Sequence, residues 1–194
     1  TNDWTGGGGG GAGAQGADGA TSRAAGRDIS ITGSPYEYAR GGASNSYSGA
    51  SRNENGTFNS GDGASGVGNG GSGIVVIRYL INTNTSPGTS PKGATGGSIT
   101  QYNSKVIHTF LGTDSFVTPG SFNETVEYFM VGGGASGGNY SGGGGGAGGI
   151  RNGTTPINGA VNYPVVIGAG GANVHSESDN GGDGRTGGTT SWGP

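Results

Sequence analysis

No cysteine occurs in the 194 residues, which excludes a disulfide framework, a thiolate metal site and a cysteine nucleophile. A small core in such a chain has to be held by backbone hydrogen bonding or by assembly. Apolar side chains are scarce as well: Leu, Ile, Val and Phe together number 28, which excludes a large Leu-rich helical core. Charge is equally sparse. Nine basic residues stand against twelve acidic ones for a net charge of −3, and no basic cluster is present, so nothing offers to release counterions from a phosphate backbone and nucleic acid is excluded as the primary partner. Low apolar content predicts disorder when it comes with high charge. Here only 11% of residues are charged, so the chain is neutral rather than a solvated polyampholyte. The longest apolar run, 74–77, is far short of a membrane span, and no basic-then-apolar leader opens the sequence. A soluble segment without membrane insertion is expected.

What fills the chain instead is glycine, 51 residues of it; with 21 Ser, 19 Thr and 16 Asn it makes up more than half of the sequence. The few apolar residues cluster in 74–81, 106–131 and 165–167. The β-branched run Ile74-Val75-Val76-Ile77, entered from a Gly-rich stretch, predicts a strand over 71–81, and 105–110, 115–117, 125–131 and 162–167 read the same way. Pro119-Gly120, between Phe116-Val117 and Phe122, is a turn signal that predicts a hairpin of its flanks. No apolar series of helical period survives the glycines, each of which costs a helix ~1 kcal/mol. Essentially no α-helix is expected.

Long glycine tracts lie between the strands at 6–11, 132–134 and 142–146, and they continue with glycine at every third position: Gly10, Gly13, Gly16, Gly19; Gly142, Gly145, Gly148; Gly181, Gly184, Gly187. A period of three belongs to a polyproline-II-type helix, with ~3 residues per turn and ~3.1 Å rise. Such a helix makes no internal hydrogen bonds. Packed side by side, however, these helices exchange N–H···O=C bonds and weak Cα–H···O contacts, provided glycine stands on the contacting edges, where any Cβ would hold the backbones apart. Collagen is excluded by only seven prolines, none inside a periodic tract. A flexible linker is the alternative reading; against it, tracts run directly out of strands, Val131 into Gly132 and Ile167 into Gly168. The expected fold is all-β, with small β-sheets or a sandwich capping packed polyglycine-II segments.

Four stretches, 125–134 (Thr-Val-Glu-Tyr-Phe-Met-Val-Gly-Gly-Gly), 162–171 (Asn-Tyr-Pro-Val-Val-Ile-Gly-Ala-Gly-Gly), 187–193 (Gly-Gly-Thr-Thr-Ser-Trp-Gly) and 71–79 (Gly-Ser-Gly-Ile-Val-Val-Ile-Arg-Tyr), resemble the glycine-rich domain common in bacteriophage tail-fibre and adhesin proteins. The resemblance implies a fibre or receptor-binding component. Domains of this kind usually begin with a motif like His108-Thr109-Phe110 and end with one like 73–79, and here the ending element comes first. Read cyclically, 105–194 followed by 1–81 is one such domain, with Trp192 and Trp4 flanking the 194/1 junction as packing anchors and 82–104 left over as a Ser/Thr/Pro/Gly linker. Two arrangements are open: a tandem repeat, in which 105–194 is completed by the next repeat or subunit, and two incomplete domains in one subunit.

Motifs of catalysis are absent in substance. Gly132-Gly133-Gly134-Ala135-Ser136-Gly137 fits the dinucleotide-binding spacing, but Asn139-Tyr140-Ser141-Gly142 cannot open the helix on which that motif depends. His108 falls in a strand and His175 in a polar loop, without ligand spacing; Glu177, Asp179 and Asp183 form an acidic loop without EF-hand spacing. No cofactor, no metal and no enzymatic activity are expected. The sequons at Asn55, Asn84, Asn123, Asn139 and Asn152 follow from composition. Recognition is assigned to 34–58, where Tyr36, Tyr38, Arg40, Tyr47 and Arg52 stand among Ser, Asn and Gly, the composition of adaptable binding loops that suit cell-surface glycans. The alternative is that these tyrosines cover the glycine bundle. The expected function is a self-associating structural subunit of an extracellular or virion-surface fibre. A discrete receptor-binding tip and an ice-binding protein are the alternatives.

Overall fold

The computed structural model describes residues 6–19, 22–44, 53–81, 93–139, 142–173 and 182–193. Their strands are β1 (Arg27–Ile29), β2 (Tyr36–Tyr38), β3 (Ile74–Leu80), β4 (Ser98–Tyr102), β5 (Lys105–Phe110), β6 (Asp114–Thr118), β7 (Asn123–Val131), β8 (Ile150–Asn158), β9 (Val161–Val166) and β10 (Ser191–Trp192). No helix occurs among the described residues. Three antiparallel sheets form, ordered β4-β5-β3-β7-β8, β10-β9-β6 and β1-β2.

The five-stranded sheet is the middle layer, and its central strand explains the unbroken apolar run. Val75, Ile77 and Tyr79 point to one side, into a core shared with Phe116, Val165 and Trp192 of the three-stranded sheet. Ile74 and Val76 point to the other, against Ile31, Tyr38 and Ala39 of the small ribbon region. A strand covered on both faces loses the apolar–polar alternation and reads as continuous Val/Ile. Its neighbours alternate by the same rule: Val106 and Phe110 of β5 join the first core, and Ile107 joins the second.

Where the strands stop, the glycine tracts begin, all from matching ends of the sheets. Ile74, Val131 and Ile150 are register partners at one edge of the middle sheet, as are Ser191 with Val166 and Arg27 with Tyr38 in the other two. Beyond them, extended segments bond side by side with a step of three. The N–H groups of Gly132 and Ala135 donate to Gly149 and Gly146 (3.0 and 2.8 Å), those of Gly145 and Gly148 to Ala64 and Gly61 (both 2.8 Å), and those of Gly9 and Ala12 to Gly42 and Ala39 (both 2.9 Å). In each pair one chain advances by three as the other retreats by three, so the neighbours are antiparallel. The pair of 142–149 with 6–11 is parallel instead: Gly144 donates to Gly7 and Ala147 to Gly10, both at 2.9 Å. The three-residue repeat is that of the polyproline-II-type helix.

Close approach is why these positions are glycine. A Cβ on Gly42 would stand 1.8 Å from the Ala64 carbonyl oxygen, on Gly145 2.2 Å from that of Ala135, and on Gly148 2.0 Å from that of Gly132. The α-hydrogen in that direction therefore meets a neighbour's carbonyl, the Cα–H···O contact of packed extended chains.

Three sequence expectations need correction. Pro119-Gly120 does turn the chain, with the Phe122 N–H donating to Pro119 O (3.0 Å), but its flanks do not pair: β6 joins β9 and β7 joins β3 and β8. The turn crosses between sheets, because Phe116 and Phe122 both serve the core between them (centroids 6.3 Å apart), and a hairpin would put both in one layer. Within 82–104, read as linker, Ser98–Tyr102 form β4, joined to β5 by Asn103 and Ser104 at φ of 45° and 58°, the positive-φ pair of a type I′ hairpin. Finally β8, unforeseen, pairs along the whole of β7 despite Gly153 and Pro156; it is an edge strand, where proline is tolerated.

Candidate functional site

Two features carry chemistry beyond packing: the polar pins that lock the glycine bundle, and the surface that the bundle leaves open. The main pin is Asp62, wholly buried among glycines. Its Oδ1 accepts from the Arg40 backbone N–H (2.9 Å) and its Oδ2 from Arg40 Nε and Nη2 (3.0 and 2.6 Å). Burial works to raise the Asp62 carboxyl, but the hydrogen bonds from Arg40 prevail and hold it below the usual carboxylate range. The Asp62 hydrogen bond in turn raises the Arg40 guanidinium. The pair welds the 39–44 and 60–65 tracts, which also bond through Gly63 N–H to Arg40 O (2.8 Å).

Of the residues assigned to recognition, Tyr38 is 5% exposed and packs on Phe129 (centroids 4.9 Å), and Arg40 is committed to Asp62. Both are placed as structural members. Tyr36 is 44% exposed, its ring edge-on to Tyr38 (4.7 Å), and is the described tyrosine of this group that faces solvent. Tyr47, Arg52 and Trp4 lie outside the described residues, as do His175, Glu177, Asp179 and Asn84. Trp192 is buried and rings with Phe116, Tyr128 and Tyr163 (6.3, 5.2 and 6.2 Å), a packing role at β10.

The buried polar groups of the sandwich are structural too. His108 is fully buried, with Nδ1 2.8 Å from Gly96 O and Nε2 3.1 Å from the Tyr79 hydroxyl. A carbonyl only accepts, so Nδ1 carries the proton and Nε2 accepts from Tyr79. Burial lowers the imidazole pKa against the opposing pull of the Gly96 bond, and pushes the Tyr79 hydroxyl up to about 12. On the opposite face Glu127 takes Lys105 and, through Oε2, Arg78 Nε and Nη2 (2.9 and 2.6 Å). Lys105 foremost, then Arg78, lower its pKa. Arg78 Nη1 also donates to Ile31 O (3.0 Å), tying the ribbon layer to the sheet. Among the described residues no group of three or more His, Asp and Glu is placed to hold a metal ion.

The open surface is a groove walled by 142–149 and 182–190 and floored by 132–138. It consists of two adjoining cavities of about 700 and 580 Å³ that share Ala135, Gly146 and Thr186. Nothing in the sequence distinguishes it, since its walls carry the same glycine spacing as the filled interior.

Residues 109–193 match the family profile described as a glycine-rich domain. That span contains the 125–134, 162–171 and 187–193 motifs, while the 71–79 motif lies before it. No curated protein and no solved structure matches the chain.

Proposed function

We propose that the chain is a structural subunit or tandem-repeat unit of an extracellular or virion-borne fibre of the tail-fibre or adhesin kind, and that it acts mechanically rather than as an enzyme. The observation that carries this reading is the three-residue bonding pattern of the bundle. Chains far apart in sequence run side by side and share N–H···O=C bonds across their axes, so tension along one tract is distributed to its neighbours as shear on many short bonds. A bundle of this kind needs no large apolar core and no cofactor.

Register supports repetition. Leu80 at the end of β3 is the partner of Lys105 at the start of β5, and Ile81 N–H donates to Ser104 O (2.8 Å). In a tandem array the β3 completing each middle sheet can come from the same copy or from the next one, with the same register partners. Surface adhesion, where the fibre has it, falls to exposed aromatic residues such as Tyr36.

Electron microscopy of the native material tests the reading. Filaments with a regular axial repeat and continuous density from residue 194 to a neighbouring residue 1 are expected; compact particles with separate chain ends would overturn it in favour of a discrete adhesin.

A further inference from the structure

In three-fold extended backbone the N–H groups point in three directions in turn, so residues i and i+3 address the same neighbour. Around 142–149 two directions are filled, Gly144 and Ala147 donating to 6–11, Gly145 and Gly148 donating to 60–65. The third set is Gly143, Gly146 and Gly149, whose N–H groups meet no acceptor among the described residues. Their carbonyls are in use, accepting from Gly138, Ala135 and Gly132 (3.0, 2.8 and 3.0 Å).

The floor of the groove has the complementary surplus. Every N–H from Gly132 to Ser136 is donated, to Gly149, Gly188, Gly71, Gly146 and Arg185 in order, yet the carbonyls of Gly133 and Ser136 accept from no described N–H. Spare donors on one wall and spare acceptors on the floor, each three residues apart, repeat every ~9 Å, the axial period of one more extended chain. A Cβ at Gly146 or Gly149 would meet nothing within 4 Å. Trp192 lines the same groove, and its buried indole N–H also lacks an acceptor among the described residues.

We propose that the groove is an unfilled position of the glycine bundle, and that it takes a glycine-rich extended segment of a second copy of this chain. The inference rests on the fibre reading for the source of that segment. The segment fitted to it is 6–11, six consecutive glycines. Gly7 and Gly10 are exposed on its outer side, nothing lies within 4 Å of a Cβ at Gly10, and the Gly10 N–H and the carbonyls of Gly8 and Gly11 are unused among the described residues. The donor and acceptor surfaces are different parts of the molecule, so each copy both gives a tract and receives one, a contact able to propagate.

Sedimentation of the full chain over a range of concentrations tests this, with Gly146→Val in the groove, Gly10→Val on the inserted tract, and Gly112→Val as a control at a loop glycine with equally open space. Far-UV circular dichroism checks that all three keep the fold. The wild type and Gly112→Val are expected to associate, and Gly146→Val and Gly10→Val to lose association. A wild type that stays monomeric, or a Gly146→Val chain that associates like it, overturns the proposal; association lost in Gly146→Val but kept in Gly10→Val overturns the assignment of 6–11. Filaments that persist in Gly146→Val refute the groove and leave the fibre reading standing. Association that vanishes with Gly146→Val in material forming no filaments does the reverse.

Discussion

Two adjacent glycines should respond in opposite directions to the same substitution. In Gly145→Ala the new Cβ starts 2.2 Å from Ala135 O and 2.8 Å from Ser136 O, against the 3.4 Å at which ordinary contact begins. The tracts must separate by 3.4 − 2.2 = 1.2 Å. That displacement stretches the bonds between these two tracts, Gly132 N–H to Gly149 O, Ala135 N–H to Gly146 O and Gly138 N–H to Gly143 O, from 2.8–3.0 Å toward 4.0–4.2 Å, beyond any hydrogen bond. Three backbone bonds at about 1 kcal/mol each, with strain of about 1–3 kcal/mol from overpacking, give a loss of about 4–6 kcal/mol. The reduced freedom of the unfolded chain returns about 0.4–1 kcal/mol. Against a total of about 5–15 kcal/mol for a domain, the remainder is enough to unfold much of the population. In Gly146→Ala the Cβ enters open space, only the unfolded-state effect operates, and a gain of about 0.4–1 kcal/mol is expected. Urea titrations followed by circular dichroism, at concentrations where the chain is monomeric, measure both. Equal effects at the two positions, or a Gly145→Ala midpoint at the wild-type value, would refute the packing argument.

Asp62→Asn leaves Arg40, whose side chain is a third exposed, without its counter-charge, and a loss of about 1–3 kcal/mol is expected in the same titration. His108 makes the fold acid-sensitive. Its folded pKa lies below the ordinary value, so the stability it supports is complete above about pH 6.5, where the unfolded imidazole is neutral, and is lost as pH falls from there through the folded pKa. Urea midpoints at a series of pH values should show that decline in the wild type and a smaller one in His108→Gln. Tyr36→Ser should leave the melting temperature within a degree or two and weaken binding to glycan-coated surfaces; unchanged binding would remove Tyr36 from any adhesive role.

How much of this was legible in the sequence follows from what each residue type reports. Strands β3, β5, β6, β7 and β9 announced themselves because Val, Ile and Phe are concentrated where a sheet has a covered face. Strand β4, exposed at every residue, and β8, polar with Gly153 and Pro156 inside it, have no such burden and gave no apolar signal. The Pro119-Gly120 signal is local: it marks a turn but carries no information about which sheet receives each flank. In two of the three glycine rows the period is the packing row itself, since Gly142, Gly145, Gly148, Gly184 and Gly187 all face a neighbouring backbone at under 3 Å. The row from Gly10 to Gly19 is not one extended helix, because the chain folds back on itself there, with Gly8 N–H donating to Ala17 O and Gly11 N–H to Ala14 O. This leaves Gly10 facing open space and Gly19 at a φ of 60°. Composition left two readings open at 34–58. Tyr and Arg among Ser and Asn describe a binding loop equally well as a cover for the bundle, and only the fold brings Asp62 to Arg40 and Phe129 to Tyr38. Nor could periodicity separate Gly145 from Gly146, one facing a neighbouring carbonyl and the other an open groove.

The central claim is that glycine tracts are held by interchain-type backbone bonds with a period of three, and residue-resolved amide hydrogen exchange of the monomeric chain tests it most directly. Slow exchange is predicted at Gly144, Gly145, Ala147 and Gly148, and fast exchange at Gly143, Gly146 and Gly149. Uniformly fast exchange across 142–149 would return the tracts to flexible linkers and contradict the account.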